Sequence, residues 1–193
     1  MHDWLLLALG CMMGYLSGSI PFGLVWSKIF KKGDPRNIGS GNIGATNVYR
    51  MAGLKMAALV YLSDFLKGAI PVFFAPEDWK IPMGIACILG HIFSIFLKFK
   101  GGKGVATACG VIGVLMPINF LISMVIWWVC LKITGYVSLA SLVALLGNMI
   151  LSLWFFDAPH MWGMGIISGL IIYSHRSNIV RLIKGQENTV DKK

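Results

Sequence analysis

Charge is scarce in this chain of 193 residues: 13% are Asp, Glu, Lys or Arg, and only 8 are acidic. Soluble domains carry about 25% charged residues, so a soluble globular fold is excluded. Long polar stretches are missing too, since 56% of the residues are hydrophobic and the mean hydropathy is +0.74. Cysteine is sparse and without pattern. Cys11, Cys87, Cys109 and Cys130 sit singly in apolar stretches, with no CxxC or Cys/His spacing. They read as buried free thiols rather than as a disulfide framework or metal site. No basic region precedes the first apolar stretch, where only His2 and Asp3 follow Met1. That stretch therefore reads as a retained span and not as a cleaved signal peptide.

What the chain does have is apolar runs of membrane-spanning character. At about 20 residues per crossing, its length allows one membrane domain over residues 1–193 with at most seven or eight spans. Runs between breakers predict helices over 4–26, 52–74, 81–99, 104–116, 118–133, 137–156 and 158–174. The fourth and fifth meet at Met116-Pro117-Ile118 and could form one kinked helix, leaving six spans. Charge arbitrates, because short cytoplasmic loops are enriched in Lys and Arg. With seven spans, all of the 17 basic residues except Lys67 and Lys80 fall on one side. The other side holds Lys80 against Asp3, Glu77, Asp78 and Asp157. The expectation is an all-α polytopic membrane protein of about seven transmembrane helices, N-terminus outside and C-terminus cytoplasmic, with residues 182–193 as a flexible cytoplasmic tail.

Three polar segments meet at the basic face, and together they supply what phosphate binding needs: unobstructed backbone donors and positive charge. The first is the loop 37–47, rich in Gly and Asn and bounded by Arg36 and Arg50. Gly39, Gly41 and Gly44 permit close backbone approach, while Ser40, Asn42, Thr46 and Asn47 can donate to phosphate oxygens. The plainer alternative is a connector whose Asn and Ser residues cap helix ends. The second is Lys100-Gly101-Gly102-Lys103-Gly104, ahead of the fourth helix, whose dipole favours anions. It is not a Walker A motif, because Leu97 and Gly104 stand where Gly and Ser/Thr are required. Its lysines alone would satisfy the positive-inside rule, but three glycines in four positions would then have no purpose. The third comprises Ser138 and Ser141, which share a helix face, with His175, Arg176 and Asn178 at the end of the last span. Deeper in the membrane, Asp64 and Lys67 at i and i+3 read as a structural ion pair, and His91 either lines the site or bonds a backbone carbonyl.

On the residues alone, transport of a phosphorylated solute and chemistry on one both fit. The motifs narrow this. Residues 18–23 (Gly-Ser-Ile-Pro-Phe-Gly), 34–50, 99–107, 135–141 and 175–182 resemble the bacterial acyl-phosphate:glycerol-3-phosphate acyltransferase family, the PlsY type. The resemblance covers nearly the whole chain. One departure is Ser94, where the family more often has proline.

The resemblance implies transfer of a fatty acyl group from acyl phosphate to the 1-hydroxyl of glycerol 3-phosphate, giving lysophosphatidate and inorganic phosphate. This is the first acylation step of phospholipid synthesis. It implies a multi-pass protein of the bacterial plasma (inner) membrane with its site on the cytoplasmic side. Acyl phosphate would come from the bilayer and glycerol 3-phosphate from the cytoplasm. Membrane lipids are the other expected partners; no nucleic acid, metal or cofactor is expected. Direct attack on the mixed anhydride needs no acyl-enzyme, and GxSxG is absent.

The expected catalytic residues are Ser40, Arg50, Lys103 and His175. Lys103 with the backbone of Gly101, Gly102 and Gly104 would take one phosphate. Arg50, with Ser40, Thr46 and Asn47, would take the other or the developing oxyanion. Gly39, Gly41, Asn42, Ser138 and Ser141 would complete the binding surface, with His175 and Asn178 positioning the acceptor hydroxyl. The competing class is a transporter or flippase of a phosphorylated solute or anionic lipid. It requires a polar path to the outer face, where the spans read as almost wholly apolar.

Overall fold

The computed structural model describes residues 3–190. Among the described residues it is all helical: α1 (Asp3–Ser19), α2 (Phe22–Ile29), α3 (Ala45–Ala52), α4 (Leu54–Phe74), α5 (Lys80–Ile92), α6 (Val105–Leu115), α7 (Pro117–Thr134), α8 (Val137–Phe155), α9 (Ala158–Ser174) and α10 (Arg176–Ile183). Four stretches are long and apolar enough to cross a membrane: Leu54–Phe74, Glu77–Leu97, Pro117–Thr134 and Val137–Phe155. The bent pair α1–α2 makes a fifth. By length and composition alone four or five of the seven expected crossings qualify; α6, with 11 residues, and α9, with 17, are shorter than any of these.

The expected helices differ from the observed ones where backbone donors run out. The span predicted over 4–26 breaks by 43° between α1 and α2. Pro21 has no N–H to continue the ladder, and the Ile20 carbonyl accepts instead from Lys67 Nζ at 2.7 Å. The helix predicted over 81–99 ends at Ile92. Ser94 there is extended, at φ −60° and ψ 124°, and its hydroxyl donates to the Ser19 carbonyl. That φ is what a proline ring imposes, so serine follows the same backbone path as the family's proline. The helices α6 and α7 are separate, divided by Met116 at φ −143°, with Pro117 starting α7. The connection 27–51 is partly ordered into α3, 8 residues and about two amphipathic turns.

Packing draws the phosphate-friendly loops together. The helices α4 and α6 touch backbone to backbone: a side chain at Gly110 would run into the Phe65 carbonyl, and one at Gly68 into the Thr107 carbonyl. Small residues permit such approach in bilayers, where packing rather than water exclusion drives association. Val72, Ile88, Val111, Ile112, Met164 and Ile167 fill the centre between α4, α5, α6, α8 and α9. Phe73, Leu121, Trp154, Trp162 and Ile166 face outward.

The half of the bundle away from the Gly-rich loops is less apolar than the sequence reading held. Asn119, Ser123, Asn148, Ser152 and Ser168 are buried between α7, α8 and α9, and Asn148 donates to Ser123 at 2.8 Å. The helices α4 and α7 both pack on α6 and meet each other through Phe65 with Phe120 and Tyr61 with Met124.

Candidate active site

One cavity of about 520 Å³ opens among α3, α4, α6, α7, α8 and α10. It is lined by Ser40, Asn42, Thr46, Asn47, Arg50, Lys103, Gly104, Ser138, Ser141, His175 and Asn178, all expected site residues. Four helices present their first turns to it, through Ala45 and Thr46, Val105 and Ala106, Val137 and Ser138, and Asn178. The free amides of a first turn carry partial positive charge, each end favouring an anion by about 0.3–1 kcal/mol. Four of them converging on one cavity, together with Arg50 and Lys103, build a trap for anions.

Within the trap the polar residues divide into free and committed. Asn47 is committed, because its Nδ2 donates to the carbonyls of Pro35, Ile38 and Asn42 and its Oδ1 accepts from the Ser40 amide. It folds the loop 35–47 around itself and so carries Ser40 to the cavity. Ser141 is also committed, donating to the Val137 carbonyl and accepting from Trp127 Nε1.

Arg50 is only partly used. Its Nη2 donates to the Thr189 carbonyl at 3.0 Å, while Nε is buried without a partner. An orphaned guanidinium donor in a cavity wall has room for an oxyanion.

Four expected glycines do not line the cavity. Gly39 and Gly41 shape the turn beside it. The amides of Gly101 and Gly102 turn away from it, donating to the carbonyls of Ile92 and His91 at 3.0 Å each. These carbonyls end α5 and have no partner within it. Gly104 reaches the cavity at φ +82°, a left-handed value suited to glycine, and opens α6.

Lys103 and His175 are tied together. Ser174 Oγ lies 2.9 Å from the Lys103 carbonyl and 2.7 Å from the Ile171 carbonyl, sharing its one proton between them, and so brings the backbone of Lys103 beside that of His175. His175 Nδ1 lies 2.8 Å from the Ile171 carbonyl, which can only accept, so Nδ1 carries the proton. The remaining ring atom with polarity, Nε2, is then a lone-pair acceptor. Burial, followed by the nearby Lys103 charge, lowers the His175 pKa to about 4, so the ring is neutral at physiological pH. Burial lowers Lys103 to about 8; Arg181 and Arg50 push the same way and Glu187 opposes them.

Several lining residues escaped the sequence reading. Glu187 lies in the segment expected to be a free tail. Up to residue 190 this segment instead folds back, with the Val190 amide donating to the Gly135 carbonyl. The Glu187 carboxylate accepts from Ser138 Oγ, Asn178 Nδ2 and Arg181 Nε at 3.1, 2.7 and 2.7 Å. Burial alone would raise its pKa, but the bonds from Arg181 and Asn178 hold it below the usual carboxylate range. Its place as one of two acids in a basic tail, with Asp191, was the one available signal. Tyr61, Cys109, Met124, Trp127 and Trp128, on α4, α6 and α7, form an apolar wall of the cavity. In sequence these residues resemble any lipid-facing ones. Asp64 and His91, whose part the sequence left open, line the cavity as well.

The family model described as Glycerol-3-phosphate acyltransferase matches residues 8–185. Glycerol-3-phosphate acyltransferase 2 of Bacillus anthracis is 43% identical over 183 residues, covering 93% of this chain and 96% of that protein. The glycerol-3-phosphate acyltransferase of Rhizobium meliloti is also 43% identical, covering 96% of this chain and 93% of its own length. A crystal structure of PlsY (YgiH), described as an integral membrane glycerol 3-phosphate acyltransferase in its glycerol 3-phosphate form, superposes with a TM-score of 0.90. It is 41% identical and covers 95% of this chain and 94% of that one. The lysophosphatidic acid form of the same protein gives a TM-score of 0.88 at 40% identity, with the same coverage.

Proposed function

The chain belongs to the glycerol-3-phosphate acyltransferase family, and from that membership we propose the donor, the site and the sidedness of its reaction. It is a multi-pass membrane acyltransferase acting on glycerol 3-phosphate. The proposed donor is acyl phosphate, with lysophosphatidate and inorganic phosphate as products. The observation that carries this reading is the single cavity that gathers Arg50, Lys103, His175 and Asn178 with four helix N-termini. Both proposed substrates bear a phosphate, so the site must hold two anions against their mutual repulsion.

The chemistry follows from what each group can do. Lys103 and the first turn of α6 take one phosphate; Arg50, with Ser40 and Thr46, takes the other or the oxyanion that develops on the acyl carbonyl. His175 Nε2 accepts a hydrogen bond from the acceptor hydroxyl and orients it for attack, beside Asn178. Phosphate is a good leaving group, so the acyl group passes directly between substrates. The hydroxyl proton goes to a substrate phosphate, whose second ionisation near pH 6 makes it a stronger base than His175.

The acyl chain stays in lipid, since each buried CH₂ is worth about 0.8 kcal/mol. The apolar side of the cavity, formed by Tyr61 and Cys109 with Met124, Trp127 and Trp128, would take the part of the chain nearest the reacting carbonyl.

The finer topology has seven crossings, N-terminus outside, with the site on the cytoplasmic side of a bacterial plasma membrane. The clustering of Lys28, Lys31, Lys32, Lys98 and Lys100 around the loops supports that orientation. The helix α6, about 17 Å long by helical rise, covers roughly half the apolar core. Its N-terminal end therefore lies below the surface, where irregular backbone is tolerated only against protein or a polar cavity.

The test is turnover of glycerol 3-phosphate with acyl phosphate in detergent by Lys103→Ala and Arg50→Ala. Each is expected to lose at least about 100-fold in kcat/KM, the scale of one missing oxyanion donor. Full activity in both variants would refute the assignment.

A further inference from the structure

A buried cluster beside the cavity takes no part in the chemistry above. Lys67 Nζ lies 2.7 Å from Asp64 Oδ1, and each side chain is 3% exposed. His91 sits between α4 and α6, with its Nδ1 3.2 Å from Thr107 Oγ1 and 3.8 Å from Asp64 Oδ1. The ring is anchored through Nδ1, by the Thr107 hydroxyl.

Its far edge meets the phosphate loop. A Cβ built at Gly102 would fall well inside contact distance of His91 Nε2, and one at Gly101 would strike the His91 carbonyl. The same stretch of α5 accepts the Gly101 and Gly102 amides. Lys103 is the next residue, and its own carbonyl is tied down by Ser174. The lysine thus projects from a turn whose seat on one side is an imidazole ring.

We propose that His91 is a positioning residue for Lys103: its ring, anchored at Nδ1 by the Thr107 hydroxyl, seats the Gly101-Gly102 turn and so aims the lysine at substrate phosphate. This rests on the reading of Lys103 as a phosphate ligand. The glycines of this loop then serve to pack over a ring rather than to offer their amides to an anion.

The test is a compensating pair, read as KM for each substrate against kcat. Lys103→Ala first identifies which substrate's KM depends on the lysine. His91→Ala and Gly102→Ala are each expected to raise that same KM on the order of tenfold, with kcat changed much less, as for a displaced binding group. In the double variant the methyl at 102 enters the space the ring vacated, so KM falls back below that of Gly102→Ala alone. His91→Gln, which keeps a side chain long enough to reach under Gly102, gives a smaller rise than His91→Ala and serves as well if the alanine variant cannot be purified.

Additive defects in the double variant would overturn the proposal, as would an unchanged KM in His91→Gln and His91→Ala. Direct contact of His91 with substrate predicts no rescue and is separated by the same comparison. If Lys103→Ala leaves both KM values unchanged, the phosphate assignment itself fails. If only the His91 variants do so, the assignment stands and the positioning role is refuted.

Discussion

Lys103 carries a pH dependence whose sign follows from its surroundings. Burial brings the ammonium down to about 8 in the free protein. Below that pH it is cationic and attracts the phosphate dianion; above it the charge is lost. KM for the substrate it holds should therefore rise with pH above about 8, by up to tenfold per unit. Lys103→Arg, always charged, should shift that limb beyond the measurable range. KM profiles between about pH 6 and 10 check both statements. His175, neutral down to about 4, should add no limb near its ordinary value. Asn47 has a different role: its amide, with two protons shared among three carbonyls and an oxygen that takes the Ser40 amide, holds a loop, so Asn47→Ala should cost about 1–3 kcal/mol of stability for polar groups left unpaired, seen as a lower melting temperature alongside lost activity. Residue type and spacing in the sequence brought Arg50, Lys103 and His175 to notice. They could not show that the Gly101 and Gly102 amides are spent on α5, because an amide's partner is a tertiary fact.

At the scale of elements, the break between α1 and α2 and the returning C-terminal segment are the parts that depend on distant charges. Lys67 closes the break by taking the Ile20 carbonyl and pairing with Asp64. Lys67→Met would strand a buried carboxylate, at a cost of about 3–5 kcal/mol, while a Lys67→Met, Asp64→Leu double variant should recover most of it. Thermal unfolding in detergent distinguishes the two. Glu187 fastens the tail through Ser138, Asn178 and Arg181. Its carboxyl is held below the usual range, so its contribution is present above the unfolded value and lost as pH falls through the folded one. Glu187→Ala should lower the melting temperature at neutral pH, with a smaller difference from the parent in acid.

Helix positions were readable because apolar runs end at proline and glycine. Pro21 lay inside such a run, and its effect depended on Lys67 being 46 residues away in sequence but adjacent in space. The tail was unreadable for the same reason, since its partners lie on α8 and α10.

For the molecule as a whole, the net charge of +9 falls into two populations. Lys28, Lys31 and Lys32 are exposed and suit orientation in a bilayer, whereas Arg50 and Lys103 line the cavity. The apolar wall toward α4 and α7 completes a site suited to the proposed meeting of one substrate from water with another from lipid. Tryptophan at Ala106, on the cavity wall, should block that meeting without altering net charge, and loss of activity with intact thermal stability would show it. The account's central claim is direct acyl transfer from acyl phosphate to glycerol 3-phosphate. The most direct measurement is release of inorganic phosphate from acyl phosphate by the purified protein, with and without glycerol 3-phosphate. The account predicts release only with acceptor present, one phosphate for each lysophosphatidate formed. A burst or steady release without acceptor would contradict it.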